Sequence, residues 1–257
     1  MSVHSTAIVE AGAELHESCE IGPYACIGPH VSLGPGVQVG PHAVVQGHTR
    51  IGEGTHVFQL ASVGAPPQDL KYAGEPTRLE VGAHNQIREF ATLHTGTLGG
   101  GGVTRVGDRN LFMAYSHVAH DCQIGSGCVL ANGATLAGHV RVDDSVILGG
   151  LSAVHQFARI GKYAFVSGGA MVTLDIPPYC TVQGDRAKLT GLNTVGLTRA
   201  GFTEAQIKRI KGAYRTVFRA KLGLREALAR VHAEYPDAPE VDAFVRFIEG
   251  SERGVAR

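Results

Sequence analysis

One aliphatic position recurs every six residues along most of the chain. Counting from Val3, steps of six land on Val9, Leu15, Ile21, Ile27, Leu33, Val39, Val45, Ile51, Val57 and Val63. A second run takes in Val106, Phe112, Val118, Ile124, Leu130, Leu136, Val142, Leu148, Val154, Ile160, Val166 and Val172, and a short one joins Val81, Ile87 and Leu93. The slot two residues before is mostly small, as at Ala7, Ala25, Ala43, Ser116, Ala134 and Ala164. It also accounts for Cys19, Cys122 and Cys128 as packing residues. The slot just after is often glycine, as at Gly22, Gly40 and Gly125, and is expected to relieve a tight corner. Six residues make one short strand and a turn, never a helix pair. Such units bury an aliphatic core only by stacking into a parallel β-helix.

The pattern resembles that of the hexapeptide-repeat transferases. The resemblance implies a left-handed parallel β-helix with three hexapeptides, 18 residues, per coil, so that residues 18 apart stack in neighbouring coils about 4.8 Å apart. Two stretches break it. Between Val63 and Val81 the phase survives, but Asp69 and Glu75 occupy aliphatic slots inside GAPPQDLKYAGEPTR, which predicts a loop leaving the prism near 65–78. Between Leu93 and Val106 lie 13 residues, one out of phase, and HTGTLGGGGVTR predicts a flexible excursion near 94–105. Loops on a rigid scaffold are natural carriers of binding residues.

The repeat ends near residue 190, which divides the chain into a β-helix over 1–190 and a small helical domain over 191–257. Thr203 opens a capping box with Gln206, and Ile207, Ile210, Tyr214, Val217 and Phe218 follow at helical spacing. A second helix is expected around Leu224 to Tyr235, stopped by Pro236. A third, around Pro239 to Glu249, carries Val241, Phe244, Val245 and Ile248. The basic residues Lys208, Arg209, Lys211, Arg215, Arg219 and Lys221 read either as a solvated face or as a surface for an acidic carrier protein.

Composition narrows the functional classes. The chain has 257 residues, 35 of them glycine, with 23 basic against 23 acidic side chains and 44% hydrophobic residues. It is neutral and core-forming, which excludes disorder and argues against nucleic acid as a partner. No apolar run of about 18 residues predicts membrane insertion, and the N-terminal stretch shows no signal core, so a cytoplasmic protein is expected. The five cysteines have no metal-finger spacing.

Candidate chemistry centres on Ser116-His117-Val118-Ala119-His120-Asp121. His120 and Asp121 fall in the two outward positions of their hexapeptide, and 18 residues on come Gly138 above His120 and His139 above Asp121. A histidine oriented by a carboxylate can take a proton from a hydroxyl, and an open glycine N–H can steady an oxyanion.

QDLKYAGEPT at 68–77, HVAHD at 117–121, NGATLAGHVRVDD at 132–144, AVHQF at 153–157 and DIPPY at 175–179 together resemble the UDP-N-acetylglucosamine O-acyltransferases of lipid A synthesis. The match runs over nearly the whole chain. It implies a homotrimer with sites between subunits. The reaction implied is transfer of an (R)-3-hydroxyacyl chain from acyl carrier protein to the 3-hydroxyl of UDP-N-acetylglucosamine, without a metal or redox cofactor. His120 is then the general base, Asp121 its support and Gly138 the oxyanion donor. Substrate contacts are implied at Gln68, Asp69, Lys71, His94, His117, His139, His155 and Gln156, and nucleotide contacts at Asn193 and Arg199. Gly168 sits where the family measures acyl length, and a glycine there implies a longer chain.

Val195 and Ala200 stand where Glu and a second Arg are usual, and Thr95 where Arg is usual, so nucleotide and sugar contacts are expected to be rearranged. The related N-acyltransferase carries an extra N-terminal domain, for which repeats starting at Val3 leave no room. Two alternatives are a β-helical zinc carbonic anhydrase, which needs three imidazoles converging on one metal at a trimer interface, and a non-catalytic β-helix scaffold, which would show regular outward Thr or Asn ladders.

Overall fold

The computed structural model describes residues 2–257. Short strands, mostly two residues long, stack into three parallel sheets of 11, 9 and 8 strands that form the faces of a triangular prism. Face 1 carries Ile21, Val39, Phe112 and Leu130; face 2 carries Ile27, Val63, Val118 and Leu136; face 3 carries Leu33, Ile51, Ile124 and Val142. From Ile21 and Ile27 onward the six-residue aliphatic positions point inward and are buried. So are the small residues two before them, Cys19, Cys122 and Cys128 among these. Where that slot holds Thr55, Asn85 and Asn110, the side chains form a buried ladder. Thr55 Oγ1 accepts the Asn85 N–H, Asn85 Oδ1 accepts the Asn110 N–H at 2.9 Å, and Asn110 Oδ1 accepts the Cys128 N–H at 2.7 Å.

The expected role of the glycine after the aliphatic slot needs correction. The left-handed backbone that turns most corners falls two residues later, as at Tyr24, His42, Asp121, His139 and Phe157, with φ between 57° and 65°. The glycines serve coil stacking: a Cβ on Gly40 would lie 2.7 Å from the Gln59 nitrogen, and one on Gly52 2.6 Å from the Gly82 carbonyl carbon.

Register gives the size of each excursion. Ile51 pairs with Val81, 30 residues on rather than 18, an insertion of 12 that is a multiple of six and so preserves phase. Val81 pairs with Val106, 25 residues on, an insertion of seven that shifts it by one. The first excursion spans 66–77. The second is shorter than expected, 95–102, because His94 ends one strand and Val103–Val106 is already the next. Both leave face 2 and return to face 3, so they project from a single corner of the prism.

After the strands Cys180–Gln183 and Lys188–Leu192, which pair antiparallel, four helices follow: α1 Thr194–Arg199, α2 Glu204–Arg219, α3 Leu224–Glu234 and α4 Pro239–Glu249. Thr203 and Gln206 form the capping box of α2. α2 buries Ile210, Tyr214 and Val217, and α4 buries Val241, Phe244, Val245 and Ile248. The segment beyond α4 returns to the prism, where the Ala256 N–H donates to the Asp175 carbonyl at 2.9 Å. Among the described residues no helix is long and apolar enough to cross a membrane.

Candidate active site

The corner between face 2 and face 3 gathers most of the candidate side chains. His120 and Asp121 occupy it directly after the strand His117–Val118, and one coil on Gly138 and His139 follow Thr135–Leu136 in register. The His139 N–H donates to the His120 carbonyl at 3.0 Å. Any side chain at position 138 would displace the catalytic candidate's ring, since a Cβ there would lie 2.5 Å from His120 Cε1 and 2.7 Å from Nε2. Among the described residues the Gly138 N–H has no acceptor.

Asp121 does not face solvent as the six-residue pattern predicts. It is 4% exposed, because the 95–102 excursion folds over it. The Thr97 N–H donates to Asp121 Oδ1 at 2.9 Å and the Thr97 hydroxyl to Oδ2 at 2.6 Å, while the Asp121 N–H donates to Thr104 Oγ1 at 2.8 Å. Gly100 makes the approach possible, since a Cβ there would overlap the carboxylate. Thr97 escapes the six-residue count because it belongs to the inserted stretch, whereas Thr104 holds the slot two residues before Val106; the signal is a hydroxyl on either side of a glycine run.

This environment fixes the imidazole. His120 Nδ1 lies 2.8 Å from Asp121 Oδ2. An ionised carboxylate only accepts hydrogen bonds, so the ring hydrogen is on Nδ1 and the lone pair on Nε2 points away from Asp121. His139 stacks on Phe157 at 4.5 Å, with its Nε2 3.8 Å from Asp121 Oδ2. Burial lowers the His139 pKa, opposed by the Asp121 charge.

His94 and His117 stand beside this corner on face 2, edge to face at 4.9 Å. Burial, reinforced by His117 and His120, holds His94 down at about 4. Its Nδ1 has no hydrogen-bond partner among the described residues. His117 Nδ1 meets the Thr92 hydroxyl at 2.7 Å, and burial lowers its pKa too. His155 and Gln156 continue the same corner one coil beyond Gly138, both exposed. Gln68 and Lys71 are exposed on the first excursion, where Asp69 Oδ1 accepts the Lys71 N–H at 3.0 Å and the Asp69 charge is felt by His139. Thr95 is buried; its hydroxyl lies 3.3 Å from that of Thr77 and its N–H donates to Ala65, tying the two excursions together.

Three candidates lie elsewhere. Asn193 caps α1, accepting the Gly196 N–H at 3.1 Å and donating to the Tyr163 carbonyl at 3.0 Å. With the exposed Arg199 it borders a separate cavity of about 600 Å³ against Val129 and Phe165 of face 1. Gly168 is exposed at the corner between faces 1 and 2, where a Cβ would come no nearer than 3.2 Å, to the Gly150 carbonyl oxygen. The candidate residues thus fall into two separate regions of one chain.

His120, Asp121 and His139 also bring nitrogen and oxygen atoms within 4.8 Å of one another. A zinc hydrase centre needs three imidazoles, whereas this group has two. The Asp121 oxygens are already engaged by Thr97 and His120.

Comparison with known proteins gives a consistent result. Residues 175–256 match a family model described as UDP N-acetylglucosamine O-acyltransferase, domain 2, and residues 104–138 match the six-repeat bacterial transferase hexapeptide. The acyl-(acyl-carrier-protein)-UDP-N-acetylglucosamine O-acyltransferase of Myxococcus xanthus is 61% identical over 255 residues, 99% of each chain. That of Anaeromyxobacter dehalogenans is 56% identical over 257 residues, 100% of each chain. The solved structure of LpxA from Acinetobacter baumannii superposes with a TM-score of 0.96 at 41% identity, covering 99% of each chain. The UDP-N-acetylglucosamine acyltransferase from Campylobacter jejuni does so with a TM-score of 0.94 at 36% identity, again over 99% of each.

Proposed function

The chain belongs to the UDP-N-acetylglucosamine O-acyltransferase family of lipid A biosynthesis, an acyl-carrier-protein-dependent group, and on that premise we propose how its residues carry the transfer. The donor is an (R)-3-hydroxyacyl thioester of acyl carrier protein and the acceptor the 3-hydroxyl of UDP-N-acetylglucosamine, met in the cytoplasm. His120 Nε2 removes the proton from that hydroxyl as its oxygen attacks the thioester carbon. The oxyanion of the tetrahedral intermediate takes the Gly138 N–H. The C–S bond then breaks, and the thiolate recovers the proton from the His120 imidazolium, which Asp121 has stabilised through Nδ1. The observation that carries this reading is the His120–Asp121 contact at 2.8 Å beneath an unoccupied glycine N–H.

The two half-sites are joined by a homotrimer. The corner between faces 1 and 2 carries an exposed ridge of Tyr24, Leu60, Phe90, Tyr115 and Leu151, with Phe90 stacked on Tyr115 at 4.9 Å. When three ridges meet on an axis, face 2 of each copy opposes face 1 of the next. His94, His117 and His120 then share a cleft with the neighbour's Asn193, Arg199 and Gly168, and face 3 remains outside. The basic side of α2 serves the acidic carrier; Arg209 is already paired with Glu240 at 2.6 Å, which leaves Lys208, Lys211, Arg215 and Arg219, with Lys221 just beyond the helix, for docking.

Acyl transfer from (R)-3-hydroxyacyl carrier protein to UDP-N-acetylglucosamine, measured for wild type and His120→Ala, tests the mechanism. A loss of about a hundredfold or more in kcat is expected from removing a general base. Unchanged kcat in a folded variant would remove His120 from that role.

A further inference from the structure

Face 3 carries a strip of guanidinium groups that the steps above leave unused. Arg105, Gln123, Arg141 and Arg159 stand in register on successive coils, and Arg253 from the segment after α4 borders the same groove. They line one wall of a groove of about 950 Å³ that is also bordered by Asp121 and His139. Arg141 begins the strand two residues after His139, which turns the corner at the edge of the groove.

The strip is short of counter-charge. Arg105 is paired with Glu80 at 3.0 Å, and Arg159 donates to the Gly250 carbonyl at 2.6 Å, lies over the Phe247 ring and has the Asp143 charge nearby. Among the described residues neither Arg141 nor Arg253 has a carboxylate within 4.0 Å; Arg253 meets only His155 Nδ1 and the Thr173 carbonyl. Of the acids on the groove, Asp121 is closed off by Thr97. Asp175 is buried, with its oxygens accepting the Arg159 N–H at 2.9 Å and the Ser251 hydroxyl at 2.8 Å, so only Glu252 is exposed. Arg141 stacked directly on Arg159 is an unfavourable like-charge pair. A bound anion would reverse its sign.

We propose that this strip is a phosphate-binding groove, in which Arg141, Arg159 and Arg253 hold a phosphate of a substrate whose reacting group lies at His120. The guanidinium fork suits phosphate oxygens. In the proposed trimer face 3 is outward, so the groove opens at the mouth of the cleft. The inference rests on the acyl-transfer reading, and both substrates carry the chemistry: a phosphodiester in the carrier's pantetheine arm, a diphosphate in the sugar nucleotide.

The full-length protein is assayed with the (R)-3-hydroxyacyl thioester of phosphopantetheine and with that of dephosphorylated pantetheine. A groove holding the donor's phosphate gives wild type a kcat/KM about tenfold higher for the phosphorylated donor, and Arg141→Gln/Arg253→Gln reduces the ratio to about one. A groove holding the nucleotide instead raises the KM for UDP-N-acetylglucosamine about tenfold in the same double variant and leaves the donor ratio unmoved. If neither quantity changes, the groove binds no phosphate and the proposal falls. A wild type that transfers no acyl group from either donor or from the intact carrier overturns the acyl-transfer reading itself, a failure visible before any variant is made.

Discussion

Thr97 shows how a residue outside the repeat governs one inside it. Its hydroxyl and N–H hold both oxygens of Asp121, and Asp121 orients His120. Thr97→Val keeps the shape and removes one of the two donors, freeing the carboxylate to rotate. The expected result is a fall of about tenfold in kcat with little change in KM, recovered by Thr97→Ser. Equal kcat in Thr97→Val and wild type would show that the loop covers Asp121 without positioning it. Stepping by 18 finds Gly138 and His139 from His120 because those coils hold no insertion. It cannot find Thr97, whose contact with Asp121 exists only because seven extra residues turn back over the corner.

At the scale of the element, the strand Thr92–His94 places on face 2 a buried histidine that cannot easily carry charge. His94 titrates at about 4 when folded against 6.5 in its ordinary state, so between those values the unfolded chain binds more protons. Its contribution is therefore complete above pH 6.5 and is lost progressively as pH falls towards 4. The full difference is on the order of 3 kcal/mol. Thermal melting from pH 7 to 4 should show a steep decline for wild type and a shallower one for His94→Gln; parallel curves would contradict a buried neutral imidazole. His117 and His139 are shifted in the same direction and account for part of the remaining slope. Elements with strong local signals were legible in the sequence: the aliphatic slots, the capping box of α2 and the apolar side of α4. α1 was not, because six residues reading TVGLTR bury only Leu197 and show no period. The corner residue was misplaced for a related reason. Tyr24, His42 and Phe157 have no turn preference of their own and are held at positive φ by the stacking of the coils.

At the scale of the molecule, the proposed division of the site between copies makes a distinctive prediction. His120→Ala and Arg199→Ala subunits are each expected to be inactive as homotrimers. When they are co-expressed at equal levels, about one cleft in four combines an intact His120 with a neighbour's intact Arg199, and roughly that fraction of wild-type activity should return. No recovery in purified mixed trimers would place both residues in one chain's site. Register also bears on how the chain reaches this state. Contacts that span 18 residues in most coils span 30 and 25 where the excursions leave. Loop-closure entropy grows only with the logarithm of length, so these two steps are disfavoured by about 0.5 and 0.3 kcal/mol relative to an ordinary coil. Growth of the solenoid coil upon coil therefore meets almost no kinetic penalty at the corner from which both excursions leave, and folding should propagate through it with the cooperativity of an uninterrupted repeat.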